Sequence, residues 1–320
     1  MREGTRWNPA GLLDCIGVNV ALRRHQSPML NFEPHASFFS GTNALYLATA
    51  SAIAYADAKT AQARVVNELG LGDFHFFDIR NAILDTQAFG ALSDTHAVLA
   101  FRGTEQKRFG DWASDLSASP TPFRWLFSKA SDVGLVHAGF GHTLHDSWSP
   151  IIAWLNAALT DKPRTLWITG HSLGGALAVM AAATCSFDPD SLLPLSGVYT
   201  FGQPRVGLHG FCQLLHAQIG RRFFRFANRQ DLVPRVPFRG WDYGDAGHFI
   251  HIGSDGIPRA DSVEWRSFVA RKLESFEQFF GIVSHLKEGL VDHGIEAGYI
   301  ASIRRQLDYL NSAAFNKTLL

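Results

Sequence analysis

The segment Thr165-Leu-Trp-Ile-Thr-Gly-His-Ser-Leu-Gly-Gly-Ala-Leu-Ala constrains the fold more than any other part of this 320-residue chain. It joins a β-type run, Thr165–Thr169, to a helix of small residues, Gly174–Ala183, through the pattern Gly170-x-Ser172-x-Gly174. A serine at the tip of a sharp strand-to-helix turn has a strained backbone, and glycine is required two residues to either side, where the turn leaves no space for a Cβ. The turn lifts the hydroxyl out of the sheet and aims the first free helix amides, that of Leu173 among them, at an incoming carbonyl oxygen. An idle serine in a glycine-rich turn could share the three-residue pattern. It would not require the strand before it, the helix after it and the additional Gly175. Ser172 is therefore the candidate nucleophile, and Leu173 a candidate donor to an oxyanion.

The strand-then-helix alternation continues on both sides of this turn. Apolar and small residues recur at helical spacing from Asn43 to Leu69. Short β runs follow at Phe74–Phe77, Thr86–Ala91 and His96–Phe101, the last two joined tightly through Ser93-Asp94. Beyond the elbow, Gly197–Phe201 reads as a strand, Phe211–Ile219 as a helix, and Arg222–Phe226 and Gly247–Gly253 as strands. From Val263 to Leu290 a row of aromatic and aliphatic residues at spacings of three and four predicts a long amphipathic helix. The pattern is that of an α/β protein with a mostly parallel central sheet and helices on both faces. Residues 1–42, broken by Pro9, Pro28 and Pro34, read as an N-terminal surface extension, and 43–320 as a single domain.

Composition removes several classes of function. Apolar residues make up 46% of the chain and charged ones 18%, too rich a core for a disordered chain. Lys plus Arg equals Asp plus Glu, 29 each, so no basic surface for nucleic acid is expected. No apolar run approaches the length of a transmembrane helix. Near the N-terminus Arg2 and Arg6 precede an apolar run interrupted by Asp14 and Asn19, which makes no clear signal peptide and leaves the compartment open. Cys15, Cys185 and Cys212 cannot form a disulfide framework. His137, His142 and His145 with Asp146 make the one grouping suited to a metal, but neither a Cys partner nor an HExxH pattern supports it. No metal and no other cofactor is expected.

Taken with its neighbours in order, the elbow resembles that of a known family. Gly170-His-Ser-Leu-Gly-Gly-Ala-Leu-Ala is similar to the nucleophile elbow of the class 3 lipases, the fungal-type triacylglycerol lipases of the α/β-hydrolase fold. Val98-Leu-Ala-Phe-Arg-Gly-Thr104 resembles the family's oxyanion strand, and Asp111-Trp112-Ala-Ser-Asp115-Leu116 its lid region. Val136-His-Ala-Gly-Phe140 resembles the stretch before the next helix. Thr200-Phe-Gly-Gln-Pro-Arg-Val-Gly207 and Asn228-Arg-Gln-Asp231-Leu-Val-Pro-Arg-Val-Pro237 resemble the strand after the nucleophile and the acid loop. The likeness runs from about Asn43 to Tyr299. It implies an α/β-hydrolase with a lid over the active site, hydrolysing acylglycerol esters at a lipid–water interface through a Ser-Asp-His triad and an acyl-enzyme. A short-chain or feruloyl-type esterase, a phospholipase, or a lipase-like scaffold without turnover are the alternatives. Oligomeric state stays open.

A serine nucleophile needs a base to take its proton and a carboxylate to orient that base, and in this fold they follow the serine in the order acid, then histidine. Asp231 lies just after the Phe223–Phe226 run, in a proline-rich loop at the carboxyl end of a strand. Position and resemblance both assign it as the acid, ahead of Asp242, Asp245 and Asp255, which lie in ordinary turns suited to capping or solvation. His248, His251, His285 and His293 all follow Asp231, so order alone leaves the base open. Asp292-His293-Gly294, ahead of Tyr299, resembles the family's terminal Asp-His…Tyr element, which implies His293. Thr104, at the end of the Val98–Phe101 strand, is expected to supply the second oxyanion donor. Glu105–Leu116 is the candidate lid, with Phe109 and Trp112 three apart among charged residues. Phe123, Trp125, Leu126 and Phe127 are expected to extend its exposed apolar rim.

Overall fold

Runs whose side chains are apolar on both faces can only be strands buried in the middle of a layered structure, and these runs assemble into one eight-stranded sheet. The computed structural model describes residues 29–80, 85–104, 119–127, 132–191, 193–237, 239–260 and 292–319. The strands are β1 (Asp73–Ile79), β2 (Thr86–Leu92), β3 (His96–Phe101), β4 (Pro120–Pro122), β5 (Leu135–His137), β6 (Thr165–His171), β7 (Leu195–Phe201), β8 (Phe223–Asn228), β9 (His248–Ile252) and β10 (Pro258–Ala260). β4 and β5 pair in a small separate ribbon; the others lie in the order β1-β2-β3-β6-β7-β8-β9-β10. β3, β6, β7, β8 and β9 run parallel, while β1, β2 and β10 pair antiparallel at the edges. The tight β2–β3 connection is present, and Ser93 Oγ accepts the amides of Thr95 and His96 at 3.2 and 3.1 Å.

Helices cover both faces. On one side lies α1 (Gly41–Ile53), and on the other α2 (Ala138–Thr160), α3 (Leu173–Phe187) and α4 (His209–Ile219). Strand β3 shows the period of two that this requires. Ala97, Leu99 and Phe101 pack toward α2 and α3, and Val98 and Ala100 toward α1. α1 is buried almost all round. Its N-cap Ser40 accepts the Asn43 amide at 3.1 Å.

Several expectations need correction. The helix expected over Asn43–Leu69 is broken after Ile53; a second helix, Ala58–Arg64, begins at the Asp57 cap and ends in a π-helical turn, Val65–Leu69. The break follows from Asp57, whose side chain accepts the Thr60 amide at 3.0 Å. Residues 29–42 are more than a surface wrap. Phe32 packs at a tilt against the rings of Tyr46 and His96, and Phe39 sits among Tyr199, Phe224 and Phe315. The expected apolar rim is also corrected, because Phe123, Leu126 and Phe127 are buried in the core beside α2. The Val136–Phe140 stretch already enters α2, whose N-cap His137 accepts the Phe140 amide at 3.4 Å. The candidate lid Glu105–Leu116 with Phe109 and Trp112, the Val263–Leu290 pattern with His285, Cys15, the Trp125 side chain and residues 1–28 lie outside the described residues.

Candidate active site

Ser172 stands at the junction of β6 and α3, at the carboxyl end of the parallel strands. Its φ of 58° and ψ of −129° lie in the left-handed half of backbone space, which for a residue with a Cβ costs on the order of 1–3 kcal/mol. The surroundings enforce it. The Ser172 amide donates to the Phe201 carbonyl at 2.9 Å, and the Ser172 carbonyl accepts the Gly175 amide at 2.9 Å. A Cβ on Gly170 would collide with the Gly174 carbonyl, and one on Gly174 with the carbonyl of Phe101. The Ser172 hydroxyl is buried and has no hydrogen-bond partner among the described residues. Leu173 is the first residue of α3, so its amide has no acceptor within the helix.

Asp231 and His293 meet although they lie 62 residues apart. His293 Nδ1 is 2.9 Å from Asp231 Oδ2, and both side chains are buried. With Nδ1–H donating to the carboxylate, a neutral ring carries its lone pair on Nε2. Asp231 also receives the Tyr299 hydroxyl on Oδ2 and the Val233 amide on Oδ1, the latter at 2.9 Å. Burial alone would raise the Asp231 carboxyl. The His293 ring, the Tyr299 hydroxyl and the Val233 amide outweigh it and hold the group below its ordinary value. Tyr299 moves the other way: burial and the adjacent Asp231 charge push its phenol well above 10.0.

The two loops are stitched together from several sides. Asn228, at the end of β8, donates its amide to the Tyr299 hydroxyl at 3.2 Å and its side-chain nitrogen to the Asp292 carbonyl at 2.9 Å. The Gln230 amide donates to Asp292 Oδ2 at 3.2 Å. On the other flank, His171 Nε2 reaches the His293 carbonyl at 2.6 Å, and the two rings lie 4.5 Å apart. Thr104 is half-buried after Gly103, where an added Cβ would come within 3.2 Å of Ser172 Cβ. The oxyanion candidate and the elbow are thus neighbours.

The rival residues are engaged elsewhere. His251 Nε2 contacts the Arg229 carbonyl at 3.0 Å, and the His248 ring stacks on Phe224. Asp255 is the cap of a turn and the partner of Arg259. Asp245 differs from the solvated turn residue expected of it. It gathers Arg205, Arg225 and Arg239 at 3.1, 2.9 and 2.5 Å. Burial would raise its carboxyl, but the arginine charges hold it far below the usual range. Among the described residues no group of three or more His, Cys, Asp or Glu could hold a metal. His137 stacks on Phe140 and His145 contacts Asp146. Cys185 and Cys212 are free and buried, and burial pushes both thiols up to about 12. No helix among the described residues is long and apolar enough to cross a membrane.

Sequence reasoning placed Tyr299 in the terminal motif without its role as a donor to the acid, and it missed His171 beside the base and the Tyr55 hydroxyl that contacts His171. His171 stood inside the elbow motif, so its position was a signal; its partners were not.

The arrangement has counterparts among known proteins. Residues 98–241 match the family profile "Lipase (class 3)". The chain is 30% identical to the triacylglycerol lipase OBL1 of Ricinus communis, over 80% of this chain and 63% of that protein. It is also 30% identical to the phospholipase A1-II 2 of Oryza sativa subsp. indica, over 72% of this chain and 60% of that protein. The chain spans less than two thirds of the length of the first curated relatives it matches. The solved structure of the Rhizomucor miehei triacylglyceride lipase superposes with a TM-score of 0.60 at 22% identity, covering 81% of this chain and 96% of that one, a likeness of fold. Over residues 98–241 the chain carries the class 3 lipase profile, and its architecture is the α/β-hydrolase fold.

Proposed function

We propose that the chain is a serine carboxylic ester hydrolase of the lipase type, with Ser172 as nucleophile, His293 as base and Asp231 as the carboxylate that orients it. One observation carries the reading: a serine with positive φ stands at a strand-to-helix turn, and the residue before it, His171, contacts the backbone of His293, which is paired with the buried Asp231. In this reading Ser172 Oγ attacks the ester carbonyl while His293 Nε2 takes its proton. Asp231 stabilises the imidazolium so formed. The Leu173 amide and the Thr104 amide and hydroxyl hold the tetrahedral oxyanion. His293 then protonates the departing alcohol, and water activated by the same imidazole releases the acyl group. No step calls for a cofactor.

The relatives support two substrate classes. Proteins named as triacylglycerol lipases support acylglycerol esters as substrate, presented at a lipid–water interface. A second reading is favoured by the relatives named as phospholipases A1, which support the acyl ester of a phospholipid. Purified protein assayed on emulsified triacylglycerol, phosphatidylcholine vesicles and soluble p-nitrophenyl esters of rising chain length separates the two. Faster release from triacylglycerol is the expected result. Release from phosphatidylcholine alone selects the phospholipase, and no release from any of the three, with no fluorophosphonate labelling, refutes the hydrolase.

A further inference from the structure

Three segments that carry the candidate site converge on one pair of side chains, the half-buried Tyr55 and the buried His171. His171 immediately precedes Ser172 and is almost wholly buried. Its Nε2 lies 2.6 Å from the carbonyl oxygen of His293. A carbonyl oxygen only accepts, so the proton is on Nε2. Burial, with the neighbouring His293, lowers the His171 ring to about 3. At neutral pH the ring is uncharged, and Nδ1 is an acceptor. The Tyr55 hydroxyl, 2.8 Å from Nδ1, donates to it. The tautomer of His171 is thereby fixed from both sides.

Tyr55 touches the third segment as well. The Arg102 guanidinium lies over its ring, 5.8 Å from the centroid. Gly103 passes so close that an added Cβ would collide with the Tyr55 hydroxyl. Thr104, the oxyanion candidate, is the next residue. The interruption after α1 makes this contact possible, because Tyr55 sits in the turn between the two helices rather than on a continuous helical face. A path of direct contacts thus runs from the oxyanion strand through Tyr55 and His171 to the backbone of His293.

We propose that Tyr55 and His171 are positioning residues for hydrolysis: the Tyr55 hydroxyl fixes the His171 tautomer, and His171 Nε2–H holds the backbone of His293 in register with Ser172. This rests on the hydrolase reading above and adds two residues to it. Neither is argued to touch substrate. Their effect is on the geometry of proton transfer, where a displacement of about 1 Å costs about 100-fold in rate. A pair that merely filled space would affect stability and leave turnover alone.

The test compares Tyr55→Phe, His171→Leu and His171→Gln with the unaltered protein on a soluble p-nitrophenyl ester, together with fluorophosphonate labelling rates. Glutamine can present an N–H where Nε2 stands, and leucine cannot. His171→Leu should lower kcat about 100-fold with KM little changed, and His171→Gln should recover about tenfold of that loss. Tyr55→Phe, the mildest change, should lower kcat about tenfold, and combining it with His171→Leu should add nothing further. If His171→Leu fails to fold, Tyr55→Phe decides. Full kcat and labelling rate in folded Tyr55→Phe and His171→Leu, with only a lower Tm, would overturn the pair while leaving the hydrolase reading in place. Imidazole 15N spectra give a readout independent of turnover. Tyr55→Phe should move the resonances of both His171 and His293, and a His293 resonance that stays put overturns the pair even in a protein without ester hydrolysis.

Discussion

Lowering the pH from 7 to 5 should destabilise the protein through two buried histidines, and the size of the loss follows from their surroundings. Burial, then His293, lowers His171 from 6.5 to about 3; burial lowers His96, which faces Tyr46 and the Ser93 hydroxyl, to about 4. Both are uncharged in the folded chain across this range. In the unfolded chain each takes up a proton as the pH falls through 6.5, so the unfolded state binds more protons and stability falls with pH. The stabilisation is complete above the unfolded value and is lost progressively as pH drops toward the folded one. Between pH 7 and pH 5 each histidine accounts for about 2 kcal/mol, and the pair for about 4 kcal/mol. Asp231 and Asp245, both held below 3.8, titrate at lower pH and add nothing in this window. Urea unfolding at pH 7, 6 and 5 measures the loss directly. His171→Gln should remove about half of the pH dependence, whatever it does to stability at pH 7. Equal unfolding free energies at pH 7 and 5, or an undiminished slope in His171→Gln, would refute the assignment of these rings as buried and neutral.

Tyr299→Phe removes a donor to the buried Asp231 carboxylate and leaves the Asn228 amide without its acceptor; it should lower kcat on a soluble ester by about tenfold or more and reduce stability by about 1–3 kcal/mol, both read from the purified variant. Gly174→Ala drives a Cβ into the Phe101 carbonyl, which is backbone and cannot swing aside; melting scans should show a loss of about 1–3 kcal/mol, together with lost fluorophosphonate labelling. His251→Ala, which breaks a contact to the Arg229 carbonyl, should keep ester hydrolysis within about tenfold of the unaltered protein.

The layered fold was readable where one local pattern decides the outcome. Strand β3 needs apolar side chains on both faces, and Val98-Leu-Ala-Phe101 can satisfy nothing else. The elbow was readable for the same reason, because Gly170, Ser172 and Gly174 are tied by sterics within five residues. Contacts that exist only after folding were not. Arg205, Arg225 and Arg239 are scattered along the sequence, and only the placement of β8 and its neighbours brings them to Asp245. Ser40–Tyr199 and Tyr55–His171 are likewise joined across more than 100 residues. The helix break before Asp57 left little trace, since Ala54, Tyr55 and Ala56 all tolerate helix and the cap chemistry of one aspartate decides. Strands β4 and β5 were missed because three-residue pairings that include Pro120 and Pro122 carry no alternation. The burial of Phe123 and Phe127 beside α2 shows that an aromatic cluster in a loop reads equally well as rim or as core.

The proposed triad is tested most directly by treating the purified protein and its Ser172→Ala, His293→Ala and His251→Ala variants with a fluorophosphonate, followed by intact mass and peptide mapping. A single phosphonyl adduct on the peptide that carries Ser172 is expected in the unaltered protein and in His251→Ala, and none in Ser172→Ala or His293→Ala. An adduct on another residue, or full labelling of His293→Ala with loss in His251→Ala, would contradict the account.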